Sequence, residues 1–259
     1  MLSPAGTEIL AICVLAGIGL ALAACVAGWF RRLPMRPTQA TMFFLNVLLA
    51  RILWRVQVKG RFAVGADQGA VIICNHISPI DPSFIYMLTN RVVHWMVARE
   101  FCEHPVMRWL LVDECASIPV SRGGIDTAAT KNAIRYARNG ELVGMFPEGR
   151  INTTDRVLLP GRPGAALIAL KARVPVVPCY VWGSPNNGTP WGSFLMSARV
   201  KFVMGEPIDI SEFYGREGER GVLEELTKRF LVEMARLAGQ SDYQPELAGR
   251  FYKPGLIDD

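Results

Sequence analysis

The sequence predicts an α/β domain with a central mixed, mostly parallel sheet flanked by helices, preceded by a transmembrane helix and an interfacial helix. Three observations carry this reading. From Val56 onward, short runs rich in β-branched residues alternate with longer segments of helical period. Residues 9–30 are 22 positions without a charged side chain, against the roughly 20 that cross a bilayer. Residues 41–56 are apolar but interrupted by Asn46, Arg51 and Arg55 at near-helical spacing, the pattern of a helix lying in a bilayer interface.

Taken in order, residues 1–37 read as a membrane anchor whose helix covers about 9–30, and 38–56 as an interfacial amphipathic helix. Arg31, Arg32 and Arg36 follow the uncharged run while only Glu8 precedes it, so the positive-inside rule places the rest of the chain on the cytoplasmic face. Trp29 and Trp54 are the tryptophans best placed for an interface. A single domain over 57–240 follows. Its expected strands are 56–59, 70–74, 92–97, 116–120, 142–146, 174–181 and 199–204, and its expected helices 82–88, 127–138, 164–172 and 221–237. Asp126 caps the second of these helices, and Asn139-Gly140 ends it. The tail over 241–259 is polar, carries Pro245 and Pro254, and reads as loosely ordered.

A net charge of +5 favours anionic partners. Phospholipid and phosphorylated substrates fit; nucleic acid does not, because no Lys/Arg run or aromatic-basic patch is present. Six cysteines are scattered without a C-x-x-C, which indicates neither a disulfide framework nor a zinc site. The three histidines share no metal-ligand spacing, so no metal is expected.

The chemistry is concentrated in Cys74-Asn75-His76-Ile77-Ser78-Pro79-Ile80-Asp81, directly after the strand expected at 70–73. Pro79 and Pro82 forbid a continuous helix there, and Asp81-Pro82 reads as an N-cap followed by proline at N1. His76 then sits on a strand-to-helix turn. Across a bent loop, a carboxylate five residues on can accept the second imidazole N–H and orient a general base. On these residues alone, a plain cap and a plain turn histidine remain equally open.

A second constellation closes the strand at 142–146. Pro147 stops the ladder, Gly149 lets the backbone approach a ligand, and Glu148 and Arg150 project from the carboxyl end. Arg156 and Arg162 follow in the next loop, and Arg122 lies beside Gly123-Gly124 at another strand end. Each arginine alone reads as a surface ion-pair residue. Together with His76 they suit a phosphate, whose oxygens match the guanidinium fork.

Asn75-His76-x-Ser78-x-x-Asp81 resembles the H-x-x-x-x-D motif of the glycerolipid acyltransferases. Phe146-Pro147-Glu148-Gly149 resembles their F-P-E-G motif, and Arg122 and Arg162 fall at basic positions of the family. Val174-Pro175-Val176-Val177-Pro178 is similar to their proline-containing fourth motif. The resemblance covers about residues 55–210 and departs after F-P-E-G, where Arg150 follows at once.

The resemblance implies an acyltransferase domain without a cofactor. It would move a fatty acyl chain from acyl-CoA or acyl carrier protein to 1-acylglycerol-3-phosphate, or to another acceptor such as glycerol-3-phosphate, another lysophospholipid or an ornithine-type lipid. His76 would be the base and Asp81 its orienter. Arg122, Arg150 and Arg162 would hold the acceptor phosphate, with Glu148 and Gly149 beside them. A non-catalytic lipid-binding protein is the alternative of another class. Oligomeric state is not legible.

Overall fold

The computed structural model describes residues 4–32, 35–121 and 126–249. Seven strands form one sheet in the order β1-β7-β6-β2-β5-β3-β4. They are β1 (Gln57–Lys59), β2 (Ala70–Ile73), β3 (Val93–Ala98), β4 (Ile118–Val120), β5 (Leu142–Met145), β6 (Val176–Trp182) and β7 (Lys201–Met204). Every pairing is parallel except β6 with β7. The mixed, mostly parallel sheet expected from the alternation is therefore present.

Strand β2 lies between β5 and β6 and is buried throughout, which is why its sequence is a continuous apolar run. Its side chains divide by the two-residue period of a strand. Val71 and Ile73 enter one core with α5 (Thr127–Arg138), α6 (Gly164–Ala172) and α8 (Val222–Leu237). Ala70 and Ile72 enter the other, with α2 (Pro37–Ile52) and α3 (Asp81–Thr89). Helices thus cover both faces. Two short helices, α4 (Pro105–Arg108) and α7 (Pro190–Leu195), were not foreseen. Each is too brief to show a 3.6-residue period.

The N-terminal expectation requires correction. Helix α1 (Pro4–Arg32) forms, but among the described residues no helix is long and apolar enough to cross a membrane. The expectation rested on the length of the uncharged run, in which nine of 22 residues are alanine or glycine. The transmembrane helix is not borne out, and the cytoplasmic-face placement that rested on it falls with it.

Helix α2 buries Ala40, Phe43 and Ala50 and holds α3 through Asn46 Nδ2, which donates to the Ser83 carbonyl at 2.8 Å. Trp54 is not at a surface: it is fully buried, edge-on to Phe84 at 5.7 Å. The Trp29 side chain lies outside the described residues. The polar segment after α8 is also tied down, since Gly161 and Leu247 form a β-bridge. Residues 250–259 lie outside the described part.

Helix α5 buries Ala129, Ala133 and Ala137, a stripe at four-residue spacing, and its outer face is basic and polar. With only methyl groups on that stripe, the helix lies close against the sheet. Ala133→Leu should therefore overpack this layer and destabilise the protein by about 1–3 kcal/mol, read as a lowered urea midpoint with unchanged slope.

Candidate active site

Strands β2, β5 and β6 run in the same direction, so the loops that leave their carboxyl ends meet at one sheet edge. The first carries His76. Its imidazole Nδ1 lies 2.9 Å from Asp81 Oδ2. An ionised carboxylate only accepts, so Nδ1 holds the ring proton and Nε2 is the basic nitrogen. The His76 side chain is 17% exposed and Asp81 is fully buried, so the imidazole can be reached from outside while its partner cannot.

The sequence reads Asp81 as the N-cap of α3; it is the first helical residue, and its carboxylate turns back to the imidazole, the arrangement the five-residue spacing also allowed. Besides the imidazole, Oδ2 accepts the backbone N–H groups of Ile77 and Ser78, each at 2.8 Å. One oxygen thus gathers three donors from three consecutive residues.

The other two loops hold the same turn. Glu148 Oε1 accepts the His76 backbone N–H at 2.9 Å, and Oε2 accepts that of Leu159 at 2.8 Å. Asn152 N–H donates to the His76 carbonyl at 2.6 Å. From the β6 loop, Asn186 Nδ2 donates to the Ile77 carbonyl at 2.9 Å, and the Ser78 hydroxyl donates to the Pro185 carbonyl. Ser78 is fully buried in that bond, which removes it as a nucleophile. Asn75 stands in for a strand residue opposite β6, donating to the Val181 carbonyl at 3.0 Å and accepting the Val181 N–H at 2.7 Å. The imidazole lies flat on Phe146, ring centres 3.8 Å apart and planes 9° from parallel.

Burial pushes the Glu148 carboxyl up to about 7, the Asp81 charge adding to the rise. The two amide N–H bonds and the Arg150 charge oppose it. Gly149 has φ of +70°, which favours glycine, and a Cβ there would lie 3.1 Å from Arg162 Nε, so a larger residue would strain the turn and push that side chain aside by a few tenths of an ångström. Arg162 N–H also donates to the Pro147 carbonyl at 2.9 Å. Glu148 is thereby held against the His76 backbone and Arg162 against Gly149, on the loop that also carries Arg150. Arg122 lies outside the described residues. Arg156 points away and pairs with Glu246 at 3.0 Å. Among the described residues, no group of three or more His, Cys, Asp or Glu side chains is placed to hold a metal ion.

A family model described as "Acyltransferase" matches residues 55–182, from just before β1 to the end of β6. The chain belongs to the acyltransferase family. It is an acyltransferase of this kind at the level of reaction class. The acyltransferase is 27% identical over 161 residues to a 1-acyl-sn-glycerol-3-phosphate acyltransferase of Bacillus subtilis (strain 168), covering 61% of this chain and 76% of that protein. A protein of the same description from Limnanthes douglasii is 27% identical over 144 residues, which are 54% of this chain and only 50% of that relative. The crystal structure of the 1-acyl-sn-glycerophosphate (LPA) acyltransferase PlsC from Thermotoga maritima superposes with a TM-score of 0.59, covering 87% of this chain and 90% of that one. At 19% identity, that likeness shows the fold alone.

The roles of Asn75, Asn152 and Asn186 in the acyltransferase were missed from sequence. The turn-forming run Ser184-Pro185-Asn186-Asn187-Gly188 marks a tight loop after β6, but nothing local says which turn it clasps.

Because only Oδ2 of Asp81 is engaged, an amide oxygen can keep all three bonds. Asp81→Asn should keep the tautomer, yet lose the charge that stabilises imidazolium and leave a buried amide N–H unpaired where Oδ1 lies. Turnover of the folded protein should fall by roughly 10²-fold or more, with a stability loss of about 1–3 kcal/mol; unchanged turnover of folded protein would contradict this. Glu148 carries a proton linkage of definite sign. A carboxyl that titrates at about 7 when folded and near 4.5 when unfolded binds more protons folded across that window. Its stabilisation is full below 4.5 and is lost as pH rises through 7. Glu148→Gln should flatten the slope of unfolding free energy across that range, measured by urea unfolding at a series of pH values.

Proposed function

We propose that the protein transfers a fatty acyl chain from acyl-CoA or acyl carrier protein to the free hydroxyl of 1-acylglycerol-3-phosphate, giving phosphatidic acid. The observation that carries this is the His76–Asp81 pair at 2.9 Å. A base alone suits any acyl acceptor. Arginines on the loop after β5, whose Glu148 binds the His76 backbone, suit an acceptor that bears a phosphate. The descriptions of the Bacillus and Limnanthes relatives support the same acceptor.

In this reading His76 Nε2 takes the proton of the acceptor hydroxyl as its oxygen attacks the thioester carbonyl. The resulting imidazolium is held by the Asp81 carboxylate. As the carbon–sulfur bond breaks, His76 returns the proton to the departing thiol, so ester and thiol form without an acyl-enzyme. Arg150, Arg162 and Arg122 hold the phosphate. Glu148 fixes the His76 backbone, since both its oxygens accept from amide groups. Helix α2 exposes Phe44, Leu45, Leu48 and Ile52, which supports its reading as a helix that meets a lipid surface.

Labelled acyl-CoA and acyl carrier protein, offered with a panel of acceptors, test the proposal. Phosphatidic acid should form with 1-acylglycerol-3-phosphate and fall by about 10²- to 10⁴-fold in His76→Ala. Product from glycerol-3-phosphate or another lysophospholipid instead would replace the acceptor and keep the mechanism. Free fatty acid without acceptor would contradict it, and no turnover of either donor would favour a lipid-binding protein.

A further inference from the structure

We infer that Trp95 is a positioning residue for the catalytic base, acting on His76 through Phe146. The inference rests on the reading of His76 as the base. Three flat rings form a column from β3 across the end of β5 to the turn after β2. Trp95 and Phe146 have centres 4.8 Å apart and planes 19° from parallel; Phe146 and His76 stand at 3.8 Å and 9°. Aromatic contacts of this kind are directional, so the plane of each ring constrains the next.

The far end of the column cannot retreat. Trp95 is paired with Gly144 in the parallel register of β3 and β5, and it is only 2% exposed. A Cβ on Gly144 would lie 2.6, 2.7 and 2.8 Å from three indole carbons. The indole therefore lies against the β5 backbone itself, in room that only glycine leaves. Phe146, two residues further along, is clamped between this wall and the imidazole.

The hydrogen bond to Asp81 and the stack constrain different motions. The first fixes where Nδ1 sits but leaves the ring free to tilt about that contact. The stack fixes the ring plane. Together they set the aim of Nε2, on which proton transfer depends. Burial alone does not account for an indole at 95. Its Nε1 has no hydrogen-bond partner among the described residues, and a ring without an N–H would avoid leaving a buried donor unpaired. A flat ring standing between Gly144 and Phe146 is what an aliphatic side chain at 95 would lack.

The test compares Trp95→Leu, Trp95→Phe and His76→Ala in the full chain, with kcat and KM measured for donor and acceptor. Trp95→Leu should lower kcat by about 10- to 100-fold while both KM values stay within about twofold, because binding groups are untouched and aim is lost. Trp95→Phe keeps a flat ring and removes the unpaired N–H, so it should recover kcat to within about fivefold of the parent. The inference is overturned if Trp95→Leu keeps the parent kcat while His76→Ala is inactive. It is equally overturned if Trp95→Phe is no better than Trp95→Leu and both raise KM. Retained turnover in His76→Ala would overturn the base reading itself.

Discussion

A carboxylate taken out of water must be met by donors, and those that reach Asp81, all of them on Oδ2, come from residues 76–78. Two of its three donors are backbone N–H groups and the third is the imidazole. The chain is therefore bent into its reactive shape by the solvation of one oxygen. The desolvation cost of a buried charge is several kcal/mol, so the turn cannot open without leaving that charge unmet. Orientation of the imidazole and conformation of the loop are one interaction.

Around this turn, the parallel sheet supplies what local sequence cannot. Each of three neighbouring strands delivers its following loop to the same edge, and each loop grips a different part of the motif. The β5 loop holds the His76 backbone through Glu148 and Asn152, and the β6 loop holds Ile77 and Ser78 through Asn186 and Pro185. Small residues permit the approach. Gly149 admits Arg162, and Gly144 admits Trp95. Charge and shape are thus brought together by segments more than 70 residues apart in sequence, as with His76 and Glu148.

Much of this was legible in the chain. The seven β-branched runs are the seven strands, and the periodic segments at 127–138 and 164–172 are helices with those bounds. The Asp126 cap accepts from Ala129 N–H as its position implies. Local composition sufficed there because the signals are local. Strand order was not legible, since pairing across a sheet is set by distant contacts. The N-terminal helix was expected to span a bilayer from the length of its uncharged run, and no helix among the described residues does so. Trp54 was misread because an aromatic at the end of an apolar run serves a core as well as an interface. The clasp of Asn186 on Ile77 joins residues 109 positions apart, and no local pattern encodes it.

The bridge between Gly161 and Leu247 gives the molecule a temporal order during its own synthesis. Chains emerge from the ribosome amino end first. The three donors on Asp81 come from residues 76–78, whereas the loop that carries Arg162 must wait some 86 positions for its brace at Leu247. That loop is therefore fastened only after every strand of the sheet and helix α8 have emerged.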